Sequence, residues 1–386
     1  VIEILFWLAL ALIAYAYAGY PLLLLLQARL RPRPVLARPW LPPVSVVMAV
    51  HDGAADLARK LANLRALDYP QDRLQFVVVS DGSGDDTVAL LQREAAADPR
   101  LHALTVARRR GKSACLADAV AVARGEVLLF TDVRQRLAPD ALRRLTAALA
   151  DPAVGAASGE LRFEADRGGY GRGIDAYWRY ETALRRLESA SGSLVGASGA
   201  LYAARREAVG GIPPGLILDD MWIPLGAAAR GYRVVAVADA LAFDRPSDDP
   251  LRERARKRRT LAGNYQLIAR WPALALPGGH PLWFRLWSHK FLRLAVPALL
   301  ALALGANLAL WPQGGLYRVA LLAQLAAYAL ALLGMASAGT MRLAPVRLCA
   351  VFVQLNAYAV LGLLDFLRGR ASALWRSDSL PGGAQT

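Results

Sequence analysis

An α/β domain with a mostly parallel, Rossmann-like sheet, flanked by transmembrane helices, is the fold class the sequence predicts. Three observations predict it. Short apolar runs at Ser45–Val50, Gln75–Ser80 and Glu126–Thr131 are continuous rather than alternating, as strands buried on both faces of a parallel sheet are. Segments of helical periodicity separate them. Long apolar stretches lie towards both ends of the chain.

Taken in order, Ile4–Ala28 carries no charged side chain and, at ~1.5 Å rise per residue, exceeds the ~20 residues needed to cross a bilayer. Arg29, Arg31, Arg33 and Arg38 follow it, whereas a cleaved signal peptide has its basic residues in front. The positive-inside rule then predicts an outside N-terminus and a cytoplasmic domain at the inner or plasma membrane. The expected division is a membrane helix (1–30), a Pro/Arg-rich linker (31–43), the α/β domain (44–247), a basic interfacial segment (248–286), C-terminal transmembrane or interfacial helices (287–368) and a tail (369–386). Within the domain, Leu57, Leu61, Leu64 and Leu67 share a helix face, and Asp85–Ala97 opens with the acidic residues that favour a helix N-terminus. A doubly wound βαβ sheet places its ligand at the C-terminal strand ends. Near the C-terminus, Trp287–Trp311 and Leu316–Met335 read as spans. Arg347–Leu367 contains Gln354, Asn356 and Asp365, and as a span would put Arg368, Arg370 and Arg376 outside. It either lies along the cytoplasmic interface or breaks the positive-inside rule.

The net charge is +15, but the 46 Lys and Arg residues are spread along the chain and concentrate beside apolar segments, which points to an anionic leaflet. With no aromatic-interleaved RNA motif and no DNA-reading module, nucleic acid is not an expected partner. Two distant cysteines, Cys115 and Cys349, argue against a disulfide framework or a Cys-based zinc site and fit a reducing compartment.

The strand ends carry the chemistry. The first is followed by His51-Asp52-Gly53, the second by Asp81-Gly82-Ser83-Gly84-Asp85-Asp86-Thr87, and the third by Asp132-Val133-Arg134. One Gly/Asp turn is a common capping device, but three carboxylate-bearing strand ends on one sheet point to a ligand site.

Over about residues 43–265 the sequence resembles family 2 glycosyltransferases. The resemblance is carried by Ser45–Asp52, Leu64–Pro70, Asp81-Gly82-Ser83, Gly111-Lys112, Ala123-Arg124-Gly125-Glu126 and the Asp132 strand end, in matching order and spacing. It implies a GT-A fold, inverting transfer from a nucleotide-sugar, UDP-linked by expectation, and a divalent metal, Mg²⁺ or Mn²⁺. It further implies that Asp81 bonds the base or ribose, that Lys112 and His51 belong to the donor site, and that Asp132 holds the metal against the diphosphate. Arg134 stands where the family's Asp-x-Asp signature has its second carboxylate. Either Asp132 holds the metal with phosphates and water, or Arg134 supplies positive charge itself. The usual Pro and Asn of the family are Ala49 and Ala117 here, and those contacts are not carried over.

Asp219-Asp220, eleven residues before Gly231-Tyr232-Arg233, resembles the family's Glu-Asp pair, which makes Asp220 the expected base. Asp219, of like charge, is expected to raise its pKa. Ser198 and Gly199 resemble the acceptor-side loop, where glycine lets a sugar approach the backbone. Arg256 and Arg259 fall at the Gln and Arg positions of the synthases' Gln-x-x-Arg-Trp motif, with Thr260 in place of Trp. Three apart on a helix, they share a face suited to a diphosphate or to anionic lipid.

The function expected is sugar transfer to a growing polysaccharide, in the manner of cellulose, chitin and hyaluronan synthases. The alternatives are single addition to a lipid-linked sugar, and an inactive membrane scaffold that keeps the fold.

Overall fold

The computed structural model describes the chain except residues 165–168, 245–249, 338 and 371–386, and for 169–176, 250 and 252 it describes the backbone alone. The tail expected over 369–386 therefore lies outside the described residues beyond Arg370, as does Arg376.

An N-terminal helix runs through α1 (Ile2–Ala14), a π turn and α2 (Tyr20–Leu30). The α/β domain follows with β1 (Val44–Val50), α3 (Ala54–Arg65), β2 (Leu74–Asp81), α4 (Thr87–Ala97), β3 (Leu101–Val106), α5 (Lys112–Val122) and β4 (Val127–Phe130). Its second half holds β5 (Arg136–Leu137), α6 (Ala141–Leu149), β6 (Val154–Phe163), α7 (Gly169–Ser191), β7 (Tyr202–Arg205), α8 (Asp219–Ala229) and β8 (Arg233–Asp244). The basic helix α9 (Pro250–Arg270) and the short α10 (Trp283–Leu286) lead through a second π turn into α11 (Leu292–Leu310). Then come α12 (Gly315–Ala336) and α13 (Ala344–Leu367).

The eight strands form one sheet in the order β3-β2-β1-β4-β7-β6-β8-β5. Strands β3, β2, β1 and β4 are parallel, in register from Val44 against Leu74 and Val127. β7 runs antiparallel between β4 and β6, and β6 pairs with β8 in parallel. The two faces of β1 show why its sequence is apolar throughout. Val44, Val46, Met48 and Val50 pack against α3 and α6, while Val47 packs against Cys115, Leu116 and Ala119 of α5. The polar residues are thereby confined to the strand ends, which is what builds the site.

Among the described residues, four helical segments, Ile2–Leu30, Trp283–Gln313, Gly315–Ala336 and Ala344–Leu367, are long and apolar enough to cross a membrane. α1 packs on α11, and α13 packs along both α12 and α9. α2 meets the domain through Tyr20 and Leu24 against Leu184 of α7, with the Tyr20 hydroxyl donating to Glu188 at 2.8 Å.

Candidate active site

The ends of β1 and β2 are tied together by side chains. His51 Nδ1 lies 2.8 Å from the Asp81 carbonyl, and the backbone amides of Asp52 and Gly53 donate to Ser83 Oγ and Thr87 Oγ1. Asp52 has φ +46° and accepts from the Gly84 amide at 2.8 Å. Gly82 has φ +64°, and a Cβ there would sit 2.7 Å from the Arg109 backbone nitrogen. Only glycine lets this turn pack so closely on the 108–111 loop.

Asp81, expected from the sequence to contact the base, is fully buried. Its two oxygens accept from the amides of Arg110 (2.6 Å) and Gly111 (2.9 Å), so its carboxylate holds the loop that opens α5 and leaves no surface to a ligand. This is a different use of the same chemistry: a carboxylate that accepts two amides fixes a backbone firmly.

Lys112, the first residue of α5, joins the end of β4 to the start of α8. Its Nζ lies 2.8 Å from Asp132 Oδ1 and 3.2 Å from Asp219 Oδ2. Burial alone would discharge it, but the Asp132, Asp219 and Asp220 carboxylates outweigh burial and keep it an ammonium. Asp219 and Asp220 form the first turn of α8, where the helix dipole favours negative charge. Asp219 is buried and Asp220 half-buried. Burial first, then the Asp219 and Asp132 charges, push the Asp220 carboxyl up to about 6 against the opposite pull of Lys112 and Arg185.

The acceptor-side loop meets this pair directly. The Ala197 amide donates to the Asp220 carbonyl at 2.7 Å, and a Cβ on Gly199 would lie 3.1 Å from Asp220 Oδ2. The Ser198 amide donates to Ser158 Oγ, which also accepts from Arg185 Nη2 at 2.6 Å. The predicted set Lys112, Asp132, Asp219, Asp220 and Gly199 is thus one cluster, with Ser198 beside it.

Arg134 and Arg256 are placed otherwise. Arg134 ion-pairs at 2.7 Å with the buried Asp244 of β8, so its charge is engaged by the protein. Arg256 pairs with Glu253, one turn earlier on α9, at 2.7 Å. The neighbour that reaches across to α13 is Arg258, whose Nε and Nη2 donate to Asp365 at 3.0 and 2.7 Å.

Two residues that support the cluster carry little or no signal in the sequence. Lys60 of α3 is buried beneath the Asp132 loop and donates to Thr131 Oγ1 (2.8 Å) and to the Gln135 carbonyl (2.6 Å). Burial pulls it down to about 7, against the Asp132 charge. Its signal was a lysine inside the apolar stripe of Leu57, Leu61 and Leu64. Arg185 of α7 left no such trace.

Among the described residues no group of three or more His, Cys, Asp or Glu side chains forms a ready-made metal centre. Asp132 presents an accessible carboxylate, and Asp219 Oδ2 is a buried oxygen whose near partner among the described residues is the Lys112 ammonium at 3.2 Å. Such a pair suits a hard divalent cation whose remaining ligands are phosphate oxygens and water.

A family model described as glycosyl transferase family 2 matches residues 45–211, and one described as glycosyl transferase family group 2 matches residues 129–357. The chain belongs to this family. It is 35% identical over 130 residues to an N-acetylglucosaminyltransferase of Mesorhizobium japonicum, across 33% of this chain and 30% of that protein. It is 27% identical over 207 residues to a beta-monoglucosyldiacylglycerol synthase of Synechocystis sp., across 50% of this chain and 42% of that one. The chain thus spans less than half the length of either curated relative. Among solved structures, it aligns with a mannosyltransferase, PcManGT from Pyrobaculum calidifontis, in complex with GDP-Man and Mn²⁺. The TM-score is 0.71 at 29% identity, over 95% of this chain and 99% of that one. The GT-A fold expected from the sequence is the fold observed.

Proposed function

We propose that this glycosyltransferase is an inverting, membrane-embedded enzyme that transfers its sugar to the hydroxyl of a lipid-linked acceptor at the cytoplasmic face, with Asp220 as base. The observation that carries the reading is the setting of Asp220, beside Gly199 on the acceptor side and Lys112 with Asp132 on the donor side. A base near pKa 6 is mostly ionised at neutral pH yet still accepts a proton readily. The acceptor oxygen forms its bond to the anomeric carbon while its proton passes to Asp220. The electron pair of the breaking C1–O bond leaves with the nucleoside diphosphate, on the opposite face of the sugar. Lys112 balances the charge that develops there and, with His51, makes up the donor wall, whereas Asp81 acts through the 108–111 loop. Asp132, with Asp219 behind it, is the residue assigned to a Mg²⁺ or Mn²⁺ ion, which when bound would neutralise the departing diphosphate.

The domain division expected from the sequence is retained, with 44–247 catalytic and 248–286 interfacial. For α13, which packs along α9 as well as α12, we take the interfacial alternative over a fourth crossing. The Thr340–Arg342 turn just before its start packs on α7, and its far end is ion-paired to α9. Three crossings return Arg368 and Arg370 to the cytoplasmic side, as the positive-inside rule requires.

A lipid-linked acceptor is preferred to a growing polysaccharide. The polymer reading draws on the Arg256/Arg259 pair and on the interfacial segments, and Arg256 is engaged by Glu253. Three crossings also offer little wall for a polymer channel. The glycolipid named in the Synechocystis relative's description favours the same choice.

The test offers purified protein in lipid a panel of UDP- and GDP-sugars with Mn²⁺ and a membrane lipid extract, and reads the glycolipid formed and its anomeric configuration by NMR. One inverted linkage on a lipid supports the proposal. A polymer of many sugars, or retained configuration, overturns it.

A further inference from the structure

A cavity of about 410 Å³ outside the catalytic cluster opens between α7, α9, α13 and the π turn that leads into α11. Its walls are of two kinds. α13 contributes Leu348, Val351 and Leu355, an apolar strip at helical spacing, with Arg347 beside it on the same helix, and the π turn and the start of α11 contribute Lys290 and Arg293. Two carboxylates of α7 stand near these cations. Glu181 is paired with Arg293, His289 and, at 3.7 Å, Lys290, while Glu188 is taken by Tyr20 and His289. Arg347 uses Nη1 on the backbone carbonyls of Met341 and Arg342 (3.2 and 3.3 Å) and has no carboxylate partner among the described residues. The cavity therefore pairs an apolar wall with an unneutralised guanidinium, among helices long and apolar enough for a membrane.

We infer that this cavity binds one anionic membrane lipid, its phosphate on Arg347 and Lys290 and the start of its chain along α13. Arginine's planar fork matches a phosphate bidentately, and ~300–1,000 Å³ is the usual size of a small-ligand site, enough here for a headgroup and the first part of a chain. Helix α7 links the cavity to the active site. Glu181 lies beneath the cations, and one turn further on Arg185 donates to Ser158 Oγ, which also holds the Ser198 amide. A narrower cavity of about 50 Å³ is lined by Glu181, Arg185, Ser158 and Ser198 together. The lipid site thus deepens the reading above, on which it rests: a phosphate-bearing acceptor would be held here while its sugar reaches Asp220.

Native mass spectrometry of the full chain in detergent tests this, with phosphatidylglycerol and phosphatidylcholine as the probes. Wild type and Asp220→Asn are expected to retain one phosphatidylglycerol per chain. Arg347→Gln is expected to bind it at least tenfold more weakly, and Leu355→Trp, which fills the apolar strip, to lose it. Phosphatidylglycerol retained as in wild type by both cavity variants, or phosphatidylcholine retained equally by wild type, overturns the inference. Since Asp220→Asn removes transfer without touching the cavity, lipid retained by that variant separates failure of this site from failure of the transfer reading.

Discussion

Replacing Asp219 by Asn removes the like charge beside Asp220 while keeping the side chain's size. Asp220 titrates at about 6, lifted from 3.8 by burial first and Asp219 next. Its deprotonated form is the active one, so kcat/KM in the wild type falls as pH drops through that value. For a single titration at about 6, activity at pH 5 is about one tenth of that at pH 7. In the Asp219→Asn variant the burial remains but the neighbouring charge is gone, and Lys112 loses one of its two carboxylates, so both changes ease ionisation of Asp220. If the midpoint falls by about one unit, the ratio of activity at pH 5 to that at pH 7 rises about fivefold. The assay is initial-rate nucleoside diphosphate release across about pH 4.5–8. An acid limb that stays put or moves up refutes the argument.

Other outcomes follow from the same geometry. Gly199→Ala is expected to lower kcat with donor affinity unchanged, because the added Cβ would meet Asp220 Oδ2 at 3.1 Å, and steady-state kinetics with circular dichroism check it. Mn²⁺ is expected to bind measurably only together with a nucleoside diphosphate, since the described side chains do not complete a ligand set, and Asp132→Ala is expected to abolish that joint binding in calorimetry. Arg134→Ala is expected to cost about 1–3 kcal/mol by leaving the Asp244 carboxylate without its ion pair, while nucleotide binding persists. Urea melts paired with nucleotide titration measure both.

β1, β2 and β4 were legible because strands buried on both faces must be apolar throughout, and the catalytic cluster was legible because its residues sit at the end of β4 and at the starts of α5 and α8. β6 was not read as a strand. Its first half, Val-Gly-Ala-Ala-Ser-Gly, has little intrinsic strand preference, and pairing with β7 and β8 decides its conformation. Asp132, Lys112 and Asp220 come from three separate junctions, yet each carried a local signature. Long-range partners had none: nothing near Arg134 announces Asp244, 110 residues away. The same limit applies along α9, where the charge pattern identifies a basic helix but not which arginine faces α13. Arg258, rather than Arg256 or Arg259, pairs with Asp365 because of its angular position relative to a helix about a hundred residues later.

The central claim is that Asp220 removes the acceptor proton. Single-turnover transfer to a lipid acceptor, measured for wild type and Asp220→Asn beside donor affinity on the same samples, tests it most directly. The account predicts unchanged donor binding and a transfer step slower by about 10²–10⁴. Transfer by Asp220→Asn within tenfold of wild type would contradict it.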